Sequence, residues 1–553
     1  MNRDLFAQAA IAQIPKILTL QDRNPHSPTY GCFDRNFWQY KIIDFPSGMS
    51  QEFVLPLALA YTLPIENNPF FEQPNIRTWA EAGILYAARS AHPDGSCDDY
   101  FPFERAGGAA AFSLLACIDS YELLSLQNDE ALAFFAKRAD WLAHHHESGR
   151  LTNHQALIVL CLELMGRLLK TDRWEAARDE RLERVFAWQN PEGWFQEYEG
   201  CDPGYHTLTI SCLARLYTLR PSNRLKDAIA KAVILAEQFV HPDGSYGGEY
   251  TSRNTYNFFP HGFELVGQWF PDALSINDRF LTGLANGKGA CYADDHIVGH
   301  HTWNYLLAWR DYVGDRPPTK PRSTESAWFP EARILIDRRH SQDGTPVELY
   351  LALNKGGVFK LFRGDRLITS DTHLSLQVKT GRKLKNAVGH LVGRYDIAFG
   401  DGLSQDPELP EGASAGQSVA CITIRGSLGW AKQKQMTPLN LMILRVVMLT
   451  VGRFFPNLIR TLLQKVLITG KTTAPFPFTR RFQWQGDRWW VTDELHADSW
   501  QDVVAASIGT DQTSIYVVMS RTFQSAQLEP WADLTDMIRT LPDGQPLRLE
   551  RKL

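Results

Sequence analysis

His92-Pro93-Asp94-Gly95-Ser96, Asn190-Pro191-Glu192-Gly193-Trp194 and His241-Pro242-Asp243-Gly244-Ser245 are three copies of one turn, and their spacing decides the fold. Pro sets the entry angle, the acid side chain can bond its own backbone, and Gly takes the left-handed position. Looser Gly turns at Gly48, Gly149 and Gly289 complete a series of six, with intervals of 47, 54, 44, 51 and 45 residues. A near-constant period of about 50 residues marks a repeated supersecondary unit.

Each interval holds two amphipathic helical patterns. Between Gly95 and Gly149 lie FSLLACIDSYELLSL and DEALAFFAKRADWLAHHH, with apolar residues at three- and four-residue steps. The link inside a pair is short, such as QND or RPSN, whereas the link between pairs is longer and carries the Gly turn. Long links alternating with short ones all emerge on one face. Six hairpins with a shared loop face predict an (α/α)6 toroid, with an open α-solenoid as the competing arrangement.

Outward from the repeat, the texture changes after Pro317. DRPPTKPRSTES reads as a linker. Beyond it, ARILIDRR, VELYLAL, VFKLFRG, HLSLQVKT, VACITIRGSL, RFQWQG, RWWVTDEL and TSIYVVMSRTF have strand character. Strands without intervening helices predict an antiparallel sheet stack. The expected class is α+β multidomain: an N-terminal (α/α)6 toroid over 1–316, a linker over 317–328, and an antiparallel β-sandwich-type domain over 329–553. A basic amphipathic helical insertion at 436–471 interrupts the latter. From Gly412 to Gly486 there is no Asp or Glu but ten Lys or Arg, in a chain whose net charge is -5. Such a segment suits an anionic membrane surface, a groove for a polyanionic glycan, or a helix packed on the toroid with its Arg residues snorkelling to water.

Bulk properties set bounds. At 553 residues, 44% apolar and 22% charged, the chain has room for two or three cores and the balance of a globular protein. The small net charge names no partner, and no nucleic acid is expected. Eight cysteines without a CxxC pair suggest neither a disulfide framework nor a zinc site. The N-terminal residues lack a secretory pattern, and no charge-free apolar run has membrane-spanning length. A cytoplasmic location is expected, with peripheral attachment at the inner membrane face as the option opened by 436–471.

The long loops bring polar residues to one mouth. They are Tyr100, Glu104 and Arg105; Asn153 and His154; Trp194, Glu197, Tyr205 and His206; Tyr246, Tyr250, Arg253, Asn254 and His261; and His301. Convergence of Tyr, His, Asn and Arg suits a charged, hydroxyl-rich ligand. Structural roles compete with functional ones here: Thr152 or Asn153 suits an N-cap, and Asp294, Asp295 and His296 read as polar loop, so no metal is expected.

GRLTNHQALIVLCLELMG, followed by EGWFQEYEGCDPGYHTLTISCLARLY, resembles the heparinase II/III-like and alginate-lyase-like polysaccharide lyases. Their Asn-His at a helix start is similar to Asn153-His154, and their Tyr in a "GxFxE…YH" stretch is similar to Tyr205. The resemblance covers most of residues 50–310. It implies a toroid with a β domain, no cofactor, and β-elimination from a uronate-containing polysaccharide, with uronate epimerisation or glycan binding without turnover as alternatives. Exopolysaccharide or envelope metabolism is the implied setting. Asn153 and His154 are then expected to bind the carboxylate and offset its charge. Tyr205 is expected to move the proton, with Arg253 or a protonated His206 lowering its pKa. Trp194, Tyr246 and Tyr250 are expected to stack on sugars; Tyr100, Glu104, Arg105, Glu197, Asn254, His261 and His301 complete the substrate-binding set. The β domain departs from the family: it has no HxH, and Ser370-Asp371-Thr372-His373 is the nearest stretch.

Overall fold

The computed structural model describes residues 3–147, 149–198, 200–292, 298–400, 419–431, 436–455, 458–459, 472–509, 520–528 and 532–553. Its helices run α1 (Asp4–Ile11), α2 (Ile14–Leu20), α3 (Arg35–Trp38), α4 (Val54–Thr62), α5 (Pro74–Ser90), α6 (Gly107–Leu123), α7 (Asp129–His144), α8 (Thr152–Leu168), α9 (Glu175–Ala187), α10 (Pro203–Leu219), α11 (Asn223–Gln238), α12 (His261–Gly267), α13 (Asp272–Ala285) and α14 (Val298–Arg310). Inner helices pack in a ring, α4 on α6, α6 on α8, α8 on α10, α10 on α12, α12 on α14 and α14 back on α4. That last contact closes the ring and excludes a solenoid. Outer helices α5, α7, α9, α11 and α13 each pack on the inner helix of their own pair, and the N-terminal α1 completes the sixth pair against α14. Inner helices are apolar all round, as for α6, buried from Gly107 to Tyr121, because both sides face protein.

The three turn copies share one geometry. In each, the first residue's N–H donates to the fifth residue's carbonyl, and the Gly N–H returns to the first residue's carbonyl. Gly95, Gly193 and Gly244 have φ of 86°, 105° and 80°. A Cβ on Gly244 would also lie 2.6 Å from backbone atoms of α13. Strain at a left-handed position costs about 1–3 kcal/mol before that clash is counted. Gly244→Ala is therefore expected to destabilise the toroid by at least this much, read as a lower denaturant midpoint with the slope unchanged. Gly48 differs: its φ is -72°, and it is required because a Cβ would meet Cys97 Sγ at 2.3 Å. In the sixth turn the left-handed residue is Gly287, not Gly289.

Two small hairpin strands, β1 (Gln196–Glu197) and β2 (Gly200–Cys201), and β3 (Cys291–Tyr292) lie in the toroid loops. The C-terminal part begins with an antiparallel meander, β4 (Ala327–Phe329), β5 (Ile334–His340), β6 (Pro346–Ala352), β7 (Val358–Arg363) and β8 (Arg366–Asp371). A nine-stranded sheet follows: β9 (Leu374–Thr380), β10 (Lys383–Val388), β11 (Asp396–Phe399), β12 (Cys421–Ala431), β13 (Thr473–Gln485), β14 (Arg488–Leu495), β15 (Val503–Ile508), β17 (Ala532–Asp533) and β18 (Leu547–Lys552). Between its last strands, β16 (Ser520–Arg521) pairs with β3 of the toroid. Leu335, Leu349, Leu351 and Phe359 pack inward on Leu376, Ile424 and Phe482 to form a sandwich core. The alternate residues Ile334, Ile336, Tyr350 and Phe362 join the toroid's core instead. The meander is thus buried on both faces and clamps the toroid loops. The sequence stretch 513–523 expected as a strand lies mostly outside the described residues; of its described residues 520–523, Ser520–Arg521 form β16. Among the described residues, no helix is long and apolar enough to cross a membrane.

Candidate active site

Three loops meet above the N-termini of α8 and α10. The Arg150 carbonyl accepts from the Tyr198 N–H (2.8 Å), the Thr152 hydroxyl donates to the Gln196 carbonyl (2.7 Å), and the Ser252 N–H donates to the Cys201 carbonyl (3.0 Å). Asp202, the N-cap of α10, accepts from the Tyr205 N–H. The same carboxylate accepts from the Thr251 hydroxyl and the Arg253 N–H, so one buried acid anchors both the Tyr205 helix and the Arg253 loop.

This frame brings Asn153, Glu197, Arg253 and Tyr205 into one buried chain. Asn153 donates from its backbone N–H to Glu197 Oε1 (2.9 Å) and from Nδ2 to Glu197 Oε2 (2.7 Å). Neither Thr152 nor Asn153 is the N-cap of α8; that position is Leu151, and Glu197 satisfies an otherwise orphaned N–H of the first turn. Arg253 Nη1 lies 3.9 Å from Glu197 Oε2. The guanidinium sits 4.1 Å from the Tyr205 ring centroid and 5.0 Å from that of Tyr198, a cation between two aromatic faces. Burial pushes the Glu197 carboxyl up to about 7, against the pull of Arg253 and the two Asn153 hydrogen bonds. Burial likewise pushes the Tyr205 hydroxyl up to about 12, opposed but not outweighed by Arg253. The expectation that cations depress Tyr205 is thus corrected: desolvation of a phenolate wins.

His154 stands beside the chain, one residue from Asn153. Its Nδ1 is 2.6 Å from Glu147 Oε2, its side chain is 18% exposed, and Phe112 packs edge-on to its ring. A carboxylate on Nδ1 selects the tautomer with a proton there and a lone pair on Nε2. Glu147 is a site residue that sequence reasoning missed, whereas Tyr198 belongs to the loop after Gly193 that the sequence already placed on this face. Glu147 falls in the Gly149 turn, where an acid is unremarked; Tyr198 is held at a left-handed φ of 54°.

Other expected site residues lie elsewhere. His206 turns outward: Nε2 meets the Ala232 carbonyl on α11 at 2.8 Å, and burial lowers its pKa to about 4, so it supplies no cation. Trp194 is buried with Nε1 donating to Glu192. Tyr246 is buried against Phe258, and Tyr250 bonds His241 and packs on Tyr350 of β6. None of these three rings offers a face to a sugar, because each is buried. Glu104 accepts the Asp99 and Tyr100 N–H groups as a loop brace, and Arg105 pairs with Asp94 (2.7 Å). Tyr100 is exposed at the rim. His261 is remote: Gly262 abuts Ser211, well down α10, and His261 Nε2 reaches Asp311 beyond the end of α14. His301 is buried between the rings of Tyr292 and Phe259. Among the described residues, buried Asn254, beside Arg253, has no hydrogen-bond partner for either amide atom, and Asn153 Oδ1 has none either. His373 is buried, its Nδ1 accepting the Leu374 N–H, and Asp371 pairs with Arg480 and Arg551, so this stretch holds the sandwich together. Asp294, Asp295 and His296 lie outside the described residues.

Glu197→Gln isolates the buried acid. Because its folded pKa is raised, Glu197 favours folding below about pH 4.5, and that contribution is lost as pH rises to about 7, by an amount on the order of 3 kcal/mol. The substituted side chain stays neutral at every pH, and its amide can donate to Asn153 Oδ1. The variant is expected to lose this pH-dependent fall in stability, measured by denaturant unfolding between these pH limits.

No family model and no curated protein matches the sequence. Solved structures do. A Streptomyces coelicolor A3 chondroitin AC lyase in complex with chondroitin sulphate aligns over 92% of this chain and 68% of its own, at 11% identity and a TM-score of 0.51. A heparinase III aligns over 83% and 64%, at 11% identity and a TM-score of 0.39. A cellobiose 2-epimerase from Bacillus thermoamylovorans aligns over 56% and 100%, at 11% identity and a TM-score of 0.43. The class defined by the fold is that of toroid-plus-β-domain proteins. Within it, the chain shares the architecture of the chondroitin AC lyase across both domains.

Proposed function

We propose that the protein is a polysaccharide lyase that cleaves a uronate-containing polymer by β-elimination. The observation that carries this is the joining of Asn153, Glu197, Arg253 and Tyr205 in one chain beside the Glu147–His154 pair. Elimination needs the uronate carboxylate's charge offset, the C5 proton removed, and the C4 oxygen protonated as its bond breaks. Arg253 supplies the positive charge, and the unmet amide atoms of Asn153 and Asn254 supply hydrogen-bonding capacity for the carboxylate and neighbouring hydroxyls. His154 Nε2 carries the lone pair that takes the C5 proton. The C–H electrons form the C4=C5 double bond, and the C4–O bond breaks toward the leaving sugar. Tyr205, held as a phenol by its burial, donates the proton to the departing oxygen. This division departs from the expectation that Tyr205 does both steps. Peripheral attachment to an anionic membrane through the 436–471 insertion belongs to the same reading, as does a role in exopolysaccharide or envelope metabolism.

The test is ultraviolet absorbance of the unsaturated uronate end across alginate, glucuronan, glycosaminoglycans and bacterial exopolysaccharides. Appearance of the chromophore with chain shortening supports elimination. Deuterium exchange at C5 without the chromophore replaces it with epimerisation; neither signal on any polymer overturns the enzyme reading.

A further inference from the structure

The helix at the start of the insertion, α15 (Pro438–Val447), continues into a π-helical turn over Met448–Gly452 and is apolar on its outward side. Leu439, Met442, Ile443, Val446, Leu449 and Phe454 are between 52% and 72% exposed. The side it turns to the protein carries Leu444, Arg445 and Val447, which are half-buried, and Met448 and Gly452, which are buried. Arg445 pairs with Asp44 (3.1 Å) and lies over the Phe45 ring, and Arg453 lies over the Phe103 ring at 5.5 Å. A surface helix of a globular protein buries most of its large apolar side chains; this one covers Leu444, Val447 and Met448, is held further by Arg445, and leaves most of the others open to the surroundings. A contiguous patch of this size marks an interaction surface.

Two further facts indicate what covers it. The stretch from Gly412 to Gly486 contains no acid, and exposed Arg453, on the same helical run, adds positive charge. Arg480, counted in the sequence excess, is buried between Asp371 and Asp493 and contributes nothing to the surface. A second copy of the chain is disfavoured, because a two-fold interface would set two acid-free basic faces together. Apolar side chains flanked by cations match an anionic bilayer, whose acyl boundary takes the former and whose headgroups take the latter.

We infer that α15 and its continuation to Phe455 dock the protein on an anionic lipid surface, and that this docking sets the toroid's loop rim against the membrane. Asp44 and Phe103 belong to the loops entering α4 and α6, and Gly108 at the start of α6 donates to Glu147, the partner of His154. The docking helix and the proton-transfer pair therefore share one rim. Resting on the lyase reading above, the substrate class is an acidic polymer held at the membrane surface, such as a chain still attached to a lipid.

Flotation of the full chain with phosphatidylserine/phosphatidylcholine vesicles and with phosphatidylcholine vesicles tests the docking without requiring turnover. Binding to the anionic vesicles, weakened by salt and lost in Ile443→Glu/Val446→Glu, is the expected result. Both residues are exposed, so circular dichroism and the elution volume should match the parent, and cleavage of a soluble polymer, if the parent shows it, should persist. No flotation of the parent, or equal flotation of the double variant, overturns the proposal. A concentration-dependent dimer that the double variant abolishes, without flotation of the parent, assigns the surface to a second copy. If flotation succeeds and no polymer is cleaved, the lyase reading fails while the docking stands.

Discussion

Tyr205→Phe is expected to lower kcat for elimination by about 10²- to 10⁴-fold while leaving the fold intact, the range for losing one positioned proton-transfer group. The ring remains, and with it the contact with Arg253, whose guanidinium lies 4.1 Å from the ring centroid. The Tyr205 N–H continues to cap on Asp202. Only the hydroxyl is lost, and burial holds that hydroxyl protonated at neutral pH, with its pKa pushed up to about 12. If Tyr205 donates to the leaving oxygen, the loss should shrink on substrates with a better leaving group, such as an aryl glycoside of the uronate. His154 would still take the C5 proton, so C5 deuterium exchange should survive better than cleavage. Equal loss of exchange and cleavage would instead assign Tyr205 to both steps, and undiminished cleavage would remove it from the chemistry.

The toroid was legible because its signal is repeated. His92–Ser96, Asn190–Trp194 and His241–Ser245 form the same hydrogen-bonded turn three times, and short links alternating with long ones left little freedom in the arrangement. The sixth pair, α1 against α14, was not legible, since it joins opposite ends of the toroid sequence with no shared pattern. In the site, Asn153, Glu197, Tyr205 and Arg253 were found because each sits beside a Gly turn or at a helix start. Trp194, Tyr246 and Tyr250 are buried rather than open at the mouth. Sequence treats every long loop as open, but Tyr350 of the meander covers Tyr250, Phe258 of the toroid packs on Tyr246, and Trp194 is buried with its Nε1 on Glu192. His206 failed for a different reason: the residue after Tyr205 on a helix points about 100° away, toward α11.

Arg253→Met should separate the site's electrostatics from its packing. The unbranched apolar side chain keeps volume between the Tyr198 and Tyr205 rings but removes the charge that lies 3.9 Å from Glu197. Activity is expected to fall by about 10²- to 10³-fold, the cost of removing a preorganised group that stabilises developing negative charge. Stability should respond with a definite sign. Arg253 lowers the Glu197 pKa against burial, so without it the carboxyl remains protonated to higher pH. Below the parent's pKa of about 7 the charge lost from Arg253 faces a neutral acid, and the variant should be only slightly destabilised through this pair. Above it, the buried carboxylate must ionise without its cation or retain its proton at increasing cost, and the deficit relative to the parent should grow with pH. Glu197→Gln in the Arg253→Met background removes the acid and should restore much of the high-pH stability without restoring activity. Unfolding curves across pH and kcat measurements on all four members of the cycle check this. Recovery of activity with stability would mean that Arg253 acts only by neutralising Glu197. Stability recovered alone would mean that its charge is used on the substrate, because neutralising Glu197 by substitution leaves the uronate carboxylate still without a counter-charge.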